Sequence, residues 1–252
     1  MTEASGRPKA STGLGLIVRR ELLVYFGSLG GYVIASLMLA ILGLLFNTLA
    51  VGGGSKYSAE VLTEFFTNAG RLGAVASCFI AMRLVAEERQ SGTLVLLQGS
   101  ALTEGELVLA KFLSAWVFLG AILVVSLYMP ALIFLHGKVS IAQIFAGYLG
   151  VYLVGGAVIA IGTFGSAVAK TQVVAIVISA AITIVLTLSF YLSRIVDGPL
   201  GELLGYLAIG DKQFMPFMRG TISLSGILYY LSIIGFFLVL ARNALESRRW
   251  SS

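Results

Sequence analysis

Residues 83–112 read RLVAEERQSGTLVLLQGSALTEGELVLAKF, the longest polar interruption between two apolar segments on the more basic side of the chain. The stretch opens with a tight charge cluster, Arg83, Glu87, Glu88 and Arg89, and turns at Ser91-Gly92. A short apolar piece, 93–97, is followed by a polar break. A second helix is predicted from Thr103, with Glu106 three residues on as a capping-box partner, and it runs through Lys111 into the next apolar span. Two apolar helices can be joined by a handful of residues. An insert this long therefore reads as a docking surface for a soluble partner; the alternative is an ordinary solvated loop.

The rest of the chain fixes the class. Of its 252 residues 58% are hydrophobic and 12% charged, and its mean hydropathy is +0.97. Such a composition excludes an ordinary soluble domain, and uncharged runs of about 18 residues or more mark membrane spans. The fold predicted is an all-α polytopic membrane protein. The single cysteine, Cys78, sits within an apolar run and allows no intrachain disulfide. The net charge of +5 comes from Lys and Arg flanking apolar runs, which fits orientation signalling rather than nucleic-acid binding. The first twenty residues are polar and basic and lack a cleavable signal pattern.

In chain order, 1–13 reads as a disordered tail. Within 14–27, Leu14, Ile17, Val18, Leu22 and Tyr25 recur at helical spacing with Arg19 and Arg20 off the stripe, predicting an amphipathic interfacial helix. Glu21 falls inside that stripe, where it either pairs with a cation or snorkels to the surface. Six spans are predicted within 28–242, at 28–50, 64–84, 112–135, 141–168, 171–193 and 224–241. Only helices are plausible there, since every backbone group in lipid must be satisfied internally. The fourth and fifth spans are separated by little more than Ala169-Lys170, which forces a tight hairpin. A tail, 243–252, ends the chain.

Placing the N-terminus in the cytosol puts eleven basic residues inside (Arg7, Lys9, Arg19, Arg20, Arg83, Arg89, Lys111, Lys170, Arg242, Arg248, Arg249) and five outside (Lys56, Lys138, Arg194, Lys212, Arg219). This positive-inside bias predicts both termini in the cytosol, with 85–111 as a cytosolic loop between spans 2 and 3. Of the outer segments 194–223 is the longest. Gly198-Pro199 breaks a helix, 200–209 is apolar but too short to span, and Gly210-Asp211-Lys212 turns the chain. The short apolar piece is either a re-entrant or interfacial helix or a small cap packed on the bundle.

Motifs for catalysis are lacking. Gly137-Lys138 has Leu132 and Val139 where a phosphate loop needs glycine and Ser or Thr. His136 is the only histidine, no paired acids share a span at helical spacing, and GxSxG is absent. No catalytic, metal or cofactor site is expected in this chain. Arg71 is the one charge deep within a span. It either lines a conduction path or, if its span begins later, sits near the outer headgroups. Gly27/Gly31 and Gly201/Gly205 have spacings that permit close helix approach. Tyr229-Tyr230 and Trp250 read as interfacial aromatics.

Several blocks together carry a likeness. Met82-Arg83-Leu84, Glu87-Glu88-Arg89, Ser91-Gly92-Thr93-Leu94, Leu96-Leu97 and Lys111-Phe112 resemble the ABC-2 type permeases, and more narrowly those similar to the gliding-motility permease GldF. Arg20-Glu21-Leu22, Tyr25-Phe26, Ser28 and Tyr32-Val33 match the family's N-terminal helix. Phe214, Phe217, Arg219-Gly220, Leu224, Tyr229-Tyr230 and ALESRRW at 244–250 match its end. The chain departs from the family at Leu29, Cys78 and Ala101, where proline is usual, at Val95, often an acid, and at Ala110, often glycine.

The resemblance implies a transmembrane permease subunit of an exporter-like ABC transporter in the bacterial cytoplasmic membrane. Its partners would be a cytosolic ATPase, which binds the ATP and Mg, and a second copy or a related permease. The coupling contacts would come from Glu87, Glu88, Arg89, Ser91, Gly92, Thr93, Leu94, Leu97, Glu104 and Glu106, and the polar or path residues would be Arg71, Glu21 and Arg83. An alternative is a non-transporting scaffold through which the ATPase moves an outer or periplasmic partner.

Overall fold

The computed structural model describes residues 10–50, 58–92, 103–136, 140–196 and 198–249. Among them every regular element is a helix: α1 (Ala10–Gly27), α2 (Leu29–Ala50), α3 (Ser58–Ala81), α4 (Ala86–Gln90), α5 (Glu104–Ser126) and α6 (Tyr128–His136). The second half contains α7 (Ile141–Val168), α8 (Gln172–Ser193), α9 (Pro199–Leu207), α10 (Asp211–Met218) and α11 (Leu224–Arg249). Six stretches are long and apolar enough to cross a membrane: Leu29–Thr48, Ala59–Gln90, Glu104–Ile133, Ile141–Val168, Gln172–Ser193 and Leu224–Ser247. The chain is thus a multi-pass membrane protein.

Three boundaries differ from expectation. The second span begins at Ser58 rather than at 64, and the last helix runs on to Arg249. The third, expected to continue unbroken over 112–135 from the helix that begins after Thr103, is interrupted at Leu127 between α5 and α6. Pro130 explains the interruption: it lacks an N–H, and its ring collides with the carbonyl four residues back, that of Ser126.

At the centre lies α7, packed by α11, α3, α8, α5 and α10. Its slim cross-section permits this. A Cβ added at Gly147 would come within 2.3 Å of the Phe66 ring, and one at Gly162 within 2.3 Å of the Ala81 methyl. Of the glycines singled out from spacing, Gly31 and Gly201 accommodate the backbone carbonyls of Tyr25 and Val196 at chain turns, while Gly205 faces the Ser193 side chain of α8. In α2 and α8 only 17% of the apolar window is buried, so lipid or another chain must cover them.

The stripe expected in α1 turns inward: Leu14, Ile17, Val18, Glu21, Leu22 and Tyr25 are buried or half-buried while Arg19 and Arg20 are exposed, and the helix packs on α5. Its outer face is not wholly polar, since Leu16, Leu23, Val24 and Phe26 are exposed.

At the end of the bundle opposite residues 83–92, α9 fills the segment expected at 200–209, and α10 follows it, where the sequence predicts no helix. These two helices pack on α8 and α7. The Tyr230 hydroxyl donates to the Ile209 carbonyl at 2.8 Å and the Tyr229 hydroxyl to the Leu207 carbonyl at 2.9 Å. Tyr230 is fully buried, so it anchors the connection between α9 and α10 from within the bundle, while Tyr229 is half-buried. Gln143 completes the closure, donating to the carbonyls of Ala59 at 3.2 Å and Met218 at 3.1 Å.

Candidate functional site: the charged junction

Six charged side chains from α1, α3–α4 and α5 converge at the end of the bundle where 83–111 lies. They line a cavity of about 180 Å³: the cations Arg20, Arg83 and Lys111 and the carboxylates Glu21, Glu87 and Glu88. Three positive and three negative charges leave the set formally neutral.

Lys111 is its hub. The side chain enters from the second turn of α5 and is almost fully buried. Its Nζ lies 2.8 Å from Glu88 Oε1 and 3.4 Å from Glu21 Oε1, and both carboxylates are 13% exposed. One ammonium thereby ties α1 and α4 to α5. A buried cation needs such partners, because removing charge from water costs several kcal/mol per ion. Of the two alternatives for Glu21, pairing is the one realised.

Arg83 forms the second pair. Its Nε and Nη2 donate to the two Glu87 oxygens at 2.7 and 2.9 Å, a bidentate fork of the kind that fixes orientation as well as distance. Its Nη1 reaches Ser28 Oγ at 3.5 Å, at the corner between α1 and α2. Beside it the Tyr25 hydroxyl donates to the Ile80 carbonyl at 3.1 Å. Burial pushes the Tyr25 phenol well above its usual range, so it stays a neutral donor.

Arg89 turns the other way. Its guanidinium donates to the carbonyls of Ala169 and, at 3.0 Å, of Ala167, satisfying the free carbonyl end of α7 at the hairpin into α8. Ser166 adds to this side: its Oγ accepts from the amides of Val85 and Ala86, each at 2.9 Å, and donates to the Met82 carbonyl at 3.2 Å. The non-helical bend between α3 and α4 is therefore held from both flanks.

The remaining residues singled out from the sequence divide as follows. Ser91 and Gly92 are exposed, and Gly92 has φ +73°, a left-handed value suited to glycine at the expected turn. Thr93, Leu94 and Leu97 lie outside the described residues, as does Ala101. Thr103 and Glu106 form the complete capping box, with the Glu106 amide donating to Thr103 Oγ1 at 3.3 Å and the Thr103 amide to Glu106 Oε2 at 2.9 Å. Glu104 is largely buried, and the neighbouring Gly105 faces the Arg242 side chain of α11. Arg71 is remote from the junction, in the middle of α3.

Glu87, Glu88 and Arg89, expected to interlock with a partner, are thus engaged within the chain. The sequence reading also passed over Lys111, Ser166 and Tyr25 as site residues. The misplaced carboxylate of Glu21 was the one local signal that a buried cation had to be near it.

Chemically the junction is a set of ion pairs linking four segments of backbone. Among the described residues no group of three His, Cys, Asp or Glu is placed to hold a metal ion.

Fold and junction together define an α-helical multi-pass membrane protein with six candidate spans and a charged, internally paired end. No family model matches the chain, and no curated protein matches it.

Proposed function

We propose that the chain is the transmembrane permease subunit of an ABC-2 type, exporter-like ABC transporter, with the loop 85–111 as the element through which a cytosolic ATPase drives it. One observation carries the reading: the two ends of that loop are tied by Lys111, Arg83, Arg89 and Ser166 to α1, α7 and the hairpin between α7 and α8, so a push on α4 reaches most of the bundle. Mechanical coupling needs such a rigid connection, and it needs a partner that favours one of two arrangements.

In this reading α1 is the interfacial connecting helix, both termini lie in the cytosol, and the bacterial cytoplasmic membrane is the location. The ATP and Mg belong to the ATPase, and a second copy or a related permease completes the transporter. The partner-facing surface is the exposed tip, Gln90, Ser91 and Gly92, together with the loop that follows. Glu87, Glu88 and Arg89 act behind it as the brace.

Co-purification of the tagged chain from bacterial membranes in mild detergent, with mass spectrometry, tests this. A stoichiometric protein carrying a GxxxxGK[ST] phosphate loop is expected. Gln90→Arg combined with Ser91→Arg should abolish its recovery while leaving the melting temperature unchanged. A chain that purifies without any nucleotide-binding protein would overturn the assignment.

A further inference from the structure

Five cations lie within the candidate spans: Arg71, Arg83, Arg89, Lys111 and Arg242. Four are satisfied, by Glu87, by the Ala167 and Ala169 carbonyls, by Glu21 and Glu88, and by Glu246. Arg71 has no hydrogen bond, ion pair or aromatic partner among the described residues, and it is exposed. It is the fourteenth of the 24 residues of α3. At 1.5 Å per residue, it stands about 10 Å along the axis from Glu64 and about 18 Å from Arg83, too deep to reach either charged end. An ionised side chain at that depth is expensive unless it faces a partner or an aqueous path, and such residues mark substrate and ion pathways.

What surrounds Arg71 is a cavity of about 130 Å³ between α3, α8 and the corner joining α9 to α10. Thr67, Thr187 and Tyr191 line it with Arg71, and Gly210 and Phe214 roof it. Among the described residues no acidic side chain contributes to this lining. Thr67 and Thr187 already donate to Thr63 and Thr183 carbonyls, both at 2.8 Å. Among the described residues the donors left to a ligand are the guanidinium and the Tyr191 hydroxyl. A guanidinium matches carboxylate and phosphate oxygens with two parallel hydrogen bonds. Away from the roof, Val75 and Phe79 continue the Arg71 face of α3 at one-turn intervals and are exposed, as is Ile184 of α8, about one turn from Thr187. An apolar track thus leads away from the polar head.

We infer that the Arg71 cavity binds the anionic headgroup, phosphate or carboxylate, of an amphiphile whose chain lies along Val75, Phe79 and Ile184. This rests on the permease reading for its meaning as cargo, and the α9–α10 corner then closes the site on its far side.

Binding of monododecyl phosphate to the purified full chain in maltoside micelles, followed by microscale thermophoresis, tests the site without any ATPase. Arg71→Gln should weaken binding about tenfold or more, Arg71→Lys, which keeps the charge but not the fork, severalfold, and Tyr191→Phe about threefold to tenfold. Inorganic phosphate is the competitor. No competition at millimolar concentration supports the amphiphile. Full competition keeps the anion site and assigns it to a small soluble anion. Equal binding by wild type, Arg71→Gln and Tyr191→Phe, or no binding by wild type because a second copy supplies a carboxylate to Arg71, overturns the inference. If Arg71→Gln does not fold, Arg71→Lys and Tyr191→Phe decide, and unchanged affinity in both is contrary. Anion binding without a co-purifying ATPase would sink the permease reading alone; an ATPase with Arg71-independent binding would sink this site alone.

Discussion

Lys111 Nζ on α5 stands 2.8 Å from the Glu88 carboxylate on α4, and both side chains are withdrawn from solvent. The two residues bracket the loop 89–110, so this pair closes the loop at its base. Glu21, ninety residues before Lys111, completes a triad at 3.4 Å and brings α1 into the same lock.

Removing the cation should therefore be costly. Lys111→Met leaves two buried carboxylates facing each other, and the expected loss is about 3–5 kcal/mol. It should appear as loss of folded yield or a large fall in melting temperature in detergent. The triple variant Lys111→Met/Glu21→Gln/Glu88→Gln should recover most of it. An unchanged single variant would show that the triad is not the lock described.

Ser166 is a smaller test of the same region. Ser166→Ala strands the amides of Val85 and Ala86, and about 2 kcal/mol of stability should be lost. Hydrogen exchange should rise at residues 82–87 before it rises in the core of α7. Uniform protection in the variant would mean that the bend is held by Arg89 alone.

At the opposite end, Tyr230→Phe removes the bond to the Ile209 carbonyl, and about 1 kcal/mol is expected. The local readout is faster exchange across 207–218 with the six spans unaffected. If that segment stays protected, packing of Phe217 rather than the tyrosine anchors it.

Gly162 tests the central packing. Gly162→Ala would place a methyl 2.3 Å from the Ala81 methyl, an overpacking expected to cost about 1–3 kcal/mol. Combining it with Ala81→Gly should restore stability, and the absence of rescue would show that the helices do not meet there.

Much of this architecture was legible in the chain because bilayer physics is legible: six apolar runs, the Thr103–Glu106 capping box and the Gly92 turn all stand where local pattern puts them. What the sequence hid was long-range. Nothing near Glu21 says that its cation is Lys111. A uniformly apolar run does not announce a break, although Pro130 was the cue for the one at Leu127. Helix α10 carries Pro216 within eight residues, a composition that reads as a turn until α7 and α11 pack on it. Tyr230 looked like an interfacial aromatic because only the tertiary structure supplies the Ile209 carbonyl. The charge cluster shows the same limit: nothing local to Glu87, Glu88 and Arg89 says that they pair with Arg83, Lys111 and the Ala167 and Ala169 carbonyls.

The central claim is that the tip of the loop meets a nucleotide-hydrolysing partner. The most direct measurement is photo-crosslinking in intact bacterial membranes from a benzoylphenylalanine placed at Gln90, with mass spectrometry of the adduct. A crosslink to a protein bearing a phosphate-binding loop is expected, and none from the same probe placed at exposed Leu188 on α8. Labelling of lipid or of unrelated proteins from position 90, at the same yield as from position 188, would contradict it.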